Sequence, residues 1–124
     1  MRVLEFGQQN TDVILLLHGG GLSWWNYREA ARMLSGQYHV VLPILDGHAD
    51  SDAPFATIEE TAARVICYID DHFDGQIMAL GGLSLGGQIA VEILSQRKDI
   101  CRYASVIIMA VIVPMFSLYN QVGM

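Results

Sequence analysis

Apolar and polar positions along this chain alternate between two kinds of block. Short, nearly unbroken apolar runs stand in "VILLLHGG", "YHVVLPILDG", "QIMALGG" and "YASVIIMAVIVP", as expected of strands covered on both faces. Between them lie longer stretches with helical spacing. "YREAARMLSG" puts Tyr27, Ala30, Ala31 and Leu34 on one helical face, with Gly36 as its stop. A second helix is predicted to about Phe73, opened by a capping-box pair, Thr57 and Glu60, and carrying Ile58, Ala62, Val65, Ile66 and Ile69 on its apolar stripe. "LGGQIAVEILSQR" predicts a third, with Ile89, Ile93 and Leu94 inward, and a short strand around Val3 to Phe6 comes before them all.

Strands joined through helices must lie parallel, with right-handed crossovers. The pattern therefore predicts an α/β fold, an open, mainly parallel sheet with helices on both faces, in a single domain over residues 1–124. In such sheets ligands bind beyond the carboxyl ends of the strands, so the loops at those ends hold the candidate chemistry.

Composition narrows the picture. With 52% hydrophobic and 16% charged residues the chain is a globular one with a packed core. A formal charge of -6 and no cluster of Lys or Arg argue against a nucleic-acid partner. The apolar run from Val106 through Pro114 to Leu118 is shorter than the roughly 20 residues of a bilayer span, and "MRVLEFGQQNTD" has no apolar signal core. A cytoplasmic protein without a membrane partner is the expectation. Cys67 and Cys101 lack metal-ligand spacing and read as buried, reduced thiols.

The strongest motif is Gly82-Leu83-Ser84-Leu85-Gly86, a G-x-S-x-G pattern between a predicted strand and a predicted helix. In so sharp a turn the serine backbone is strained and its neighbours two positions away must lack a Cβ, which Gly82 and Gly86 satisfy. The serine then stands at a helix amino terminus, where unpaired N–H groups favour developing negative charge, with Leu85 N–H the natural first donor. The second motif is His18-Gly19-Gly20-Gly21 at the end of a strand, a loop able to bring another N–H to the same place. Neither a P-loop nor a dinucleotide fingerprint is present and no cofactor is implied.

With "HGGG" at 18–21, "DGHADS" at 46–51 and "GLSLGG" at 82–87 in this order, the chain resembles the α/β-hydrolase superfamily. The resemblance covers most of this chain and about the amino-terminal half of a typical member, which makes the fold a truncated α/β-hydrolase fold. It implies Ser84 as nucleophile, Leu85 and Gly20 as oxyanion donors with Gly21 as the alternative, and a small-molecule ester or thioester as substrate. It also implies that His18 and His48 are structural.

A serine needs a base, usually a histidine oriented by a carboxylate, and in this fold both follow the serine. Residues 85–124 contain Glu92 and Asp99 but no histidine. Glu92 is more than two helical turns from Ser84, about 12 Å along the axis, and Asp99 precedes a strand, which puts it at the opposite end of the sheet. His39, read as opening a strand at the far edge, and His72, at a helix end, are read as structural. Asp46, His48, Asp50 and Asp52 alternate in one loop, but Ser51 and Thr57 break the EF-hand spacing, so the loop reads as solvated and no metal is expected. Trp24, Trp25 and Tyr27 are read as anchoring their helix to the core rather than lining an acyl pocket. Two functions remain. One is a serine-dependent hydrolase of carboxylic esters or thioesters, weak or inactive as these 124 residues. The other is a non-catalytic half-domain that forms homo-oligomers through its edge strand, residues 104–113.

Overall fold

In the computed structural model, which describes residues 1–107, five strands form one sheet. In chain order the elements are β1 (Val3–Phe6), β2 (Val13–Leu17), a short 3-10 turn (Trp24–Tyr27) running into α1 (Arg28–Leu34), β3 (His39–Pro43), α2 (Ile58–Phe73), β4 (Ile77–Leu83), α3 (Leu85–Gln96) and β5 (Cys101–Ile107). The sheet order is β1-β3-β2-β4-β5. β2, β3, β4 and β5 are parallel, and β1 alone is antiparallel, paired with β3 from Val3 opposite Pro43 to Phe6 opposite Val40.

Alternation along the strands builds two cores, one on each face. Val13, Leu15 and Leu17 of β2 and Val41 of β3 point to the side covered by α2 and α3, where they meet Val65, Ile69, Ile89 and Ile93. Val40 and Leu42 point the other way and pack with Leu16 and Ala31 beneath α1. Helices thus cover both faces. The α2 boundaries follow its caps: the Thr57 hydroxyl accepts from Glu60 N–H at 3.0 Å, and Asp74 closes the helix in the left-handed region at φ 56°.

Several expectations need correction. β3 lies inside the sheet because the short β1 pairs along its outer side, so His39 does not open an edge strand. It is buried and holds Glu5 of β1 at 2.8 Å. Neither cysteine is buried: Cys67 falls on the exposed side of α2 and Cys101 is half-buried at the start of β5, where burial pushes its thiol pKa up. Among the aromatic residues before α1, Trp24 and Tyr27 pack onto the core, while Trp25 is exposed. The expected edge strand corresponds to β5 through Ile107, and residues 108–113 lie outside the described residues. Among the described residues no helix is long and apolar enough to cross a membrane.

Leu15 is fully buried between the helices and the sheet, whereas Met33 on α1 is 85% exposed. Urea unfolding should therefore find Leu15→Ala destabilised by about 2–5 kcal/mol and Met33→Ala within about 0.5 kcal/mol of the parent chain.

Candidate active site

The parallel strands all end on the same side of the sheet, and three loops meet there. They follow β2 (His18 to Gly21), β3 (Leu45 to His48) and β4, where Ser84 joins the strand to α3. Ser84 adopts φ 55° and ψ -114°, a conformation that L-residues rarely take. Its N–H donates to the Ile107 carbonyl of β5 at 2.6 Å, and its own carbonyl accepts from Gln88 N–H at 3.0 Å, so the corner is held from both sides.

The glycines at this corner are sterically required. A Cβ on Gly82 would strike the Gly86 carbonyl and lie 2.7 Å from Gly87 N; one on Gly86 would strike the Leu17 carbonyl and lie 2.6 Å from the His18 oxygen. A third small residue belongs to the same corner. A Cβ on Gly87 would meet Val106 Cγ1 at 2.8 Å, so the glycine doublet at 86–87 lets α3 lie on both β2 and β5. The Tyr27 hydroxyl donates to the Leu17 carbonyl at 3.2 Å, and burial raises its pKa, keeping it a neutral donor.

Beside Ser84, Gly20 faces the first residue of α3: a Cβ there would stand 3.6 Å from Leu85 Cβ. Leu85 opens α3, where a backbone N–H has no intrahelical acceptor. Neither it nor the Gly20 N–H donates to any described residue. Gly21 differs. At φ 76° it turns its N–H onto His48 Nε2, 3.1 Å away. The Ser84 hydroxyl has no hydrogen-bond partner among the described residues.

Both loop histidines have both ring nitrogens engaged. His18 is buried, with Nδ1 2.9 Å from the Gly19 carbonyl and Nε2 accepting from Leu45 N–H at 3.1 Å. Burial pushes its pKa below the usual histidine range, against the Gly19 carbonyl, which favours the charged form; neighbouring His48 lowers it further. His48 Nδ1 lies 3.1 Å from the Asp46 carbonyl. The two rings meet edge-on, with centroids 4.9 Å apart.

The acidic loop is not uniformly solvated as expected. Asp46 is buried, its Oδ2 accepting from the Thr61 hydroxyl at 2.9 Å and its Oδ1 lying 3.2 Å from Arg64 Nε as an ion pair without hydrogen-bond alignment. Arg64 also holds Asp52 at 2.8 Å. Thr61 falls on the apolar stripe of α2, and that position was the available signal for a buried polar contact. Among the described residues no group of three or more His, Cys, Asp or Glu side chains could hold a metal ion. Glu92 lies along α3 beside Gln96, to which it is hydrogen-bonded at 3.0 Å, and Asp99 lines a cavity of about 540 Å³ with Thr11, Asp12 and Gln76 at the amino ends of the strands. Neither carboxylate is near Ser84. His72 is tied to the Tyr68 carbonyl at 3.0 Å, in the last turn of α2.

Residues 14–121 match the model of the alpha/beta hydrolase family. The chain belongs to this family. The "Magnesium-chelatase 30 kDa subunit" of Rhodobacter capsulatus is 32% identical to it over 93 residues, covering 73% of this chain and 33% of that protein. The "Soluble epoxide hydrolase" of Corynebacterium sp. (strain C12) is 27% identical over 88 residues, 70% of this chain and 31% of that one. Among solved structures, a thermophilic esterase from Thermogutta terrifontis superposes with a TM-score of 0.77 at 25% identity, over 85% of this chain and 39% of that chain. An epoxide hydrolase from Vigna radiata superposes with a TM-score of 0.75 at 28% identity, over 83% and 33% respectively. The match of this alpha/beta hydrolase chain thus spans about a third of the length of the curated relatives, and it falls in the amino-terminal half of the fold, as its motifs imply.

Two outcomes test the geometry. Gly86→Ala drives a Cβ into backbone and should lower stability by about 3 kcal/mol or more, whereas Gly36→Ala, with nothing within 4 Å of the added carbon, should stay within about 0.5 kcal/mol of the parent; urea midpoints measure both. The depressed His18 pKa means that, as pH falls below about 6.5, the unfolded chain binds a proton that the folded chain refuses. Stability that is complete above that value should therefore decline on acidification, by at most about 1.4 kcal/mol per pH unit for this one group, before carboxylates begin to titrate. Urea titrations at stepped pH check it, and a flat profile between about pH 6.5 and 5 would contradict it.

Proposed function

We propose that the chain carries the nucleophile and oxyanion-binding part of a serine hydrolase for carboxylic esters or thioesters, and that these 124 residues alone turn over weakly or not at all. The observation that carries this reading is the positive-φ corner at Ser84 with the N–H groups of Gly20 and Leu85, unpartnered among the described residues, beside it. In the proposed reaction Ser84 Oγ bonds to the acyl carbon, the carbonyl oxygen gathers charge against those two N–H groups, and the alcohol or thiol leaves with a proton. Water then cleaves the acyl-serine ester. Gly21 is the weaker loop donor because its N–H already points at His48.

The relatives named for epoxide opening raise a different chemistry. A serine that opened an epoxide would form an ether, which water does not cleave, so turnover would stop after one cycle; an acyl-serine ester remains cleavable. Ester or thioester cleavage is the reading that the side chain at position 84 supports.

The low turnover follows from the missing base. Residues 85–124 contain no histidine, and His18 and His48 have both nitrogens engaged. Loss of one triad member lowers kcat by roughly four orders of magnitude or more even when the oxyanion donors remain.

A second reading, a non-catalytic half-domain that self-associates, is favoured by β5. It is the terminal strand among those described, with Tyr103 61% and Ile107 54% exposed, and an open apolar edge invites pairing with another copy. Size-exclusion chromatography with light scattering should return a dimer mass if this edge pairs, and a monomer at all concentrations would remove that reading.

The hydrolase reading is tested with a fluorophosphonate probe and mass spectrometry. The folded chain should be labelled at Ser84 alone and faster than the urea-unfolded chain, Ser84→Ala should not be labelled, and nitrophenyl ester turnover should stay near the buffer rate. Labelling no faster than in the unfolded control would overturn it.

A further inference from the structure

The histidines at the ends of β2 and β3 make a reciprocal pair. A carbonyl oxygen can only accept, so the contacts of His18 Nδ1 with the Gly19 carbonyl and of His48 Nδ1 with the Asp46 carbonyl put the proton on Nδ1 in both rings. Each Nε2 is then a bare acceptor, and each takes a backbone N–H from the opposite loop: His18 from Leu45, His48 from Gly21. Each loop therefore contributes a histidine that holds the other loop's backbone.

The two halves of this clasp differ in access to solvent. His18 is fully buried, whereas His48 is only half-buried and its partner Gly21 is exposed. We propose that His48 is a positioning residue that, in its neutral form, holds Gly21 N–H and so fixes the 18–21 loop with Gly20 facing Leu85, and that protonation of His48 opens this outer half of the clasp. A proton on Nε2 turns the acceptor into a second donor facing the Gly21 N–H, and the contact becomes repulsive.

Among the described residues, His48 has titratable neighbours at the end of β2 and on its own loop. The His18 ring faces it from the end of β2. On its own loop, the Asp46 carboxylate is turned away to Thr61 and Arg64, Asp52 is paired with Arg64, and Asp50 is exposed. The inner half, His18 with Leu45, stays closed because burial keeps His18 neutral to lower pH. Acidification should thus free Gly21 without separating the loops. The consequence for Ser84 rests on the hydrolase reading above; the clasp itself does not.

The test is a pH titration of the isotopically labelled 124-residue chain by NMR, following the Gly21 amide and the His48 ring. The Gly21 amide should shift with the same midpoint as His48, and its protection from hydrogen exchange should drop roughly tenfold across that midpoint. In His48→Gln, whose amide oxygen accepts but does not titrate, the Gly21 shift should be flat, while Ser84→Ala should titrate as the parent does. A Gly21 amide that ignores the His48 titration in the parent chain, or that still titrates with the parent midpoint in His48→Gln, would overturn the proposal. The fluorophosphonate labelling rate should show an inflection at the His48 midpoint that His48→Gln removes. Absence of any labelling would count against the hydrolase reading alone, since the Gly21 titration judges the clasp independently.

Discussion

The structure depends on how closely the first turn of α3 approaches the end of β2. Gly86 lies so tightly against the Leu17 and His18 carbonyls that no Cβ fits between them. A helix that starts this close to the sheet leaves the chain no room for a gradual turn out of β4. The whole change of direction falls on one residue, Ser84, which takes it up as a positive φ. Backbone strain of this kind is worth about 1–3 kcal/mol and persists only where surrounding contacts over-determine it. Here they do: β5 takes the Ser84 N–H, Gln88 takes its carbonyl, and Val106 closes on Gly87.

The same approach organises the loops. Because α3 begins against β2, the strand's last residues and the glycines after them are brought beside Leu85, and Gly20 comes to face it. The histidine pair then ties this loop to the one after β3. Three loops from three adjacent parallel strands are linked by the histidine side chains and by the close approach of α3 to β2, and the bulk of the core merely supports them. The opposite end of the sheet carries Asp99 and an open polar cavity.

Much of this was legible in the sequence for local reasons. The strands are apolar runs because both faces are covered, the α2 start is a capping box, and the corner is a serine with glycines two residues away on either side. What was not legible is set by partners distant in the chain. The antiparallel docking of β1 outside β3 made His39 interior, and no local pattern encodes that register. Asp46 looked solvated because Thr61 and Arg64, which hold it, lie a loop and a helical turn or two away. The histidines were read as structural, but that each clasps the opposite loop depends on contacts 27 positions apart in the chain. Cys67 was misread because its neighbours are apolar while its own direction on α2 faces out.

The central claim is that Ser84 is held where an L-residue is strained, and a comparison of two variants tests it directly. At an ordinary helix start, alanine is more favourable than glycine by about 0.4–1 kcal/mol, because glycine has more freedom to lose on folding. At a positive-φ corner the Cβ is the liability and the order reverses. Urea unfolding should find Ser84→Gly more stable than Ser84→Ala by about 1 kcal/mol or more; an alanine variant equal to or more stable than the glycine one would mean that the corner is relaxed.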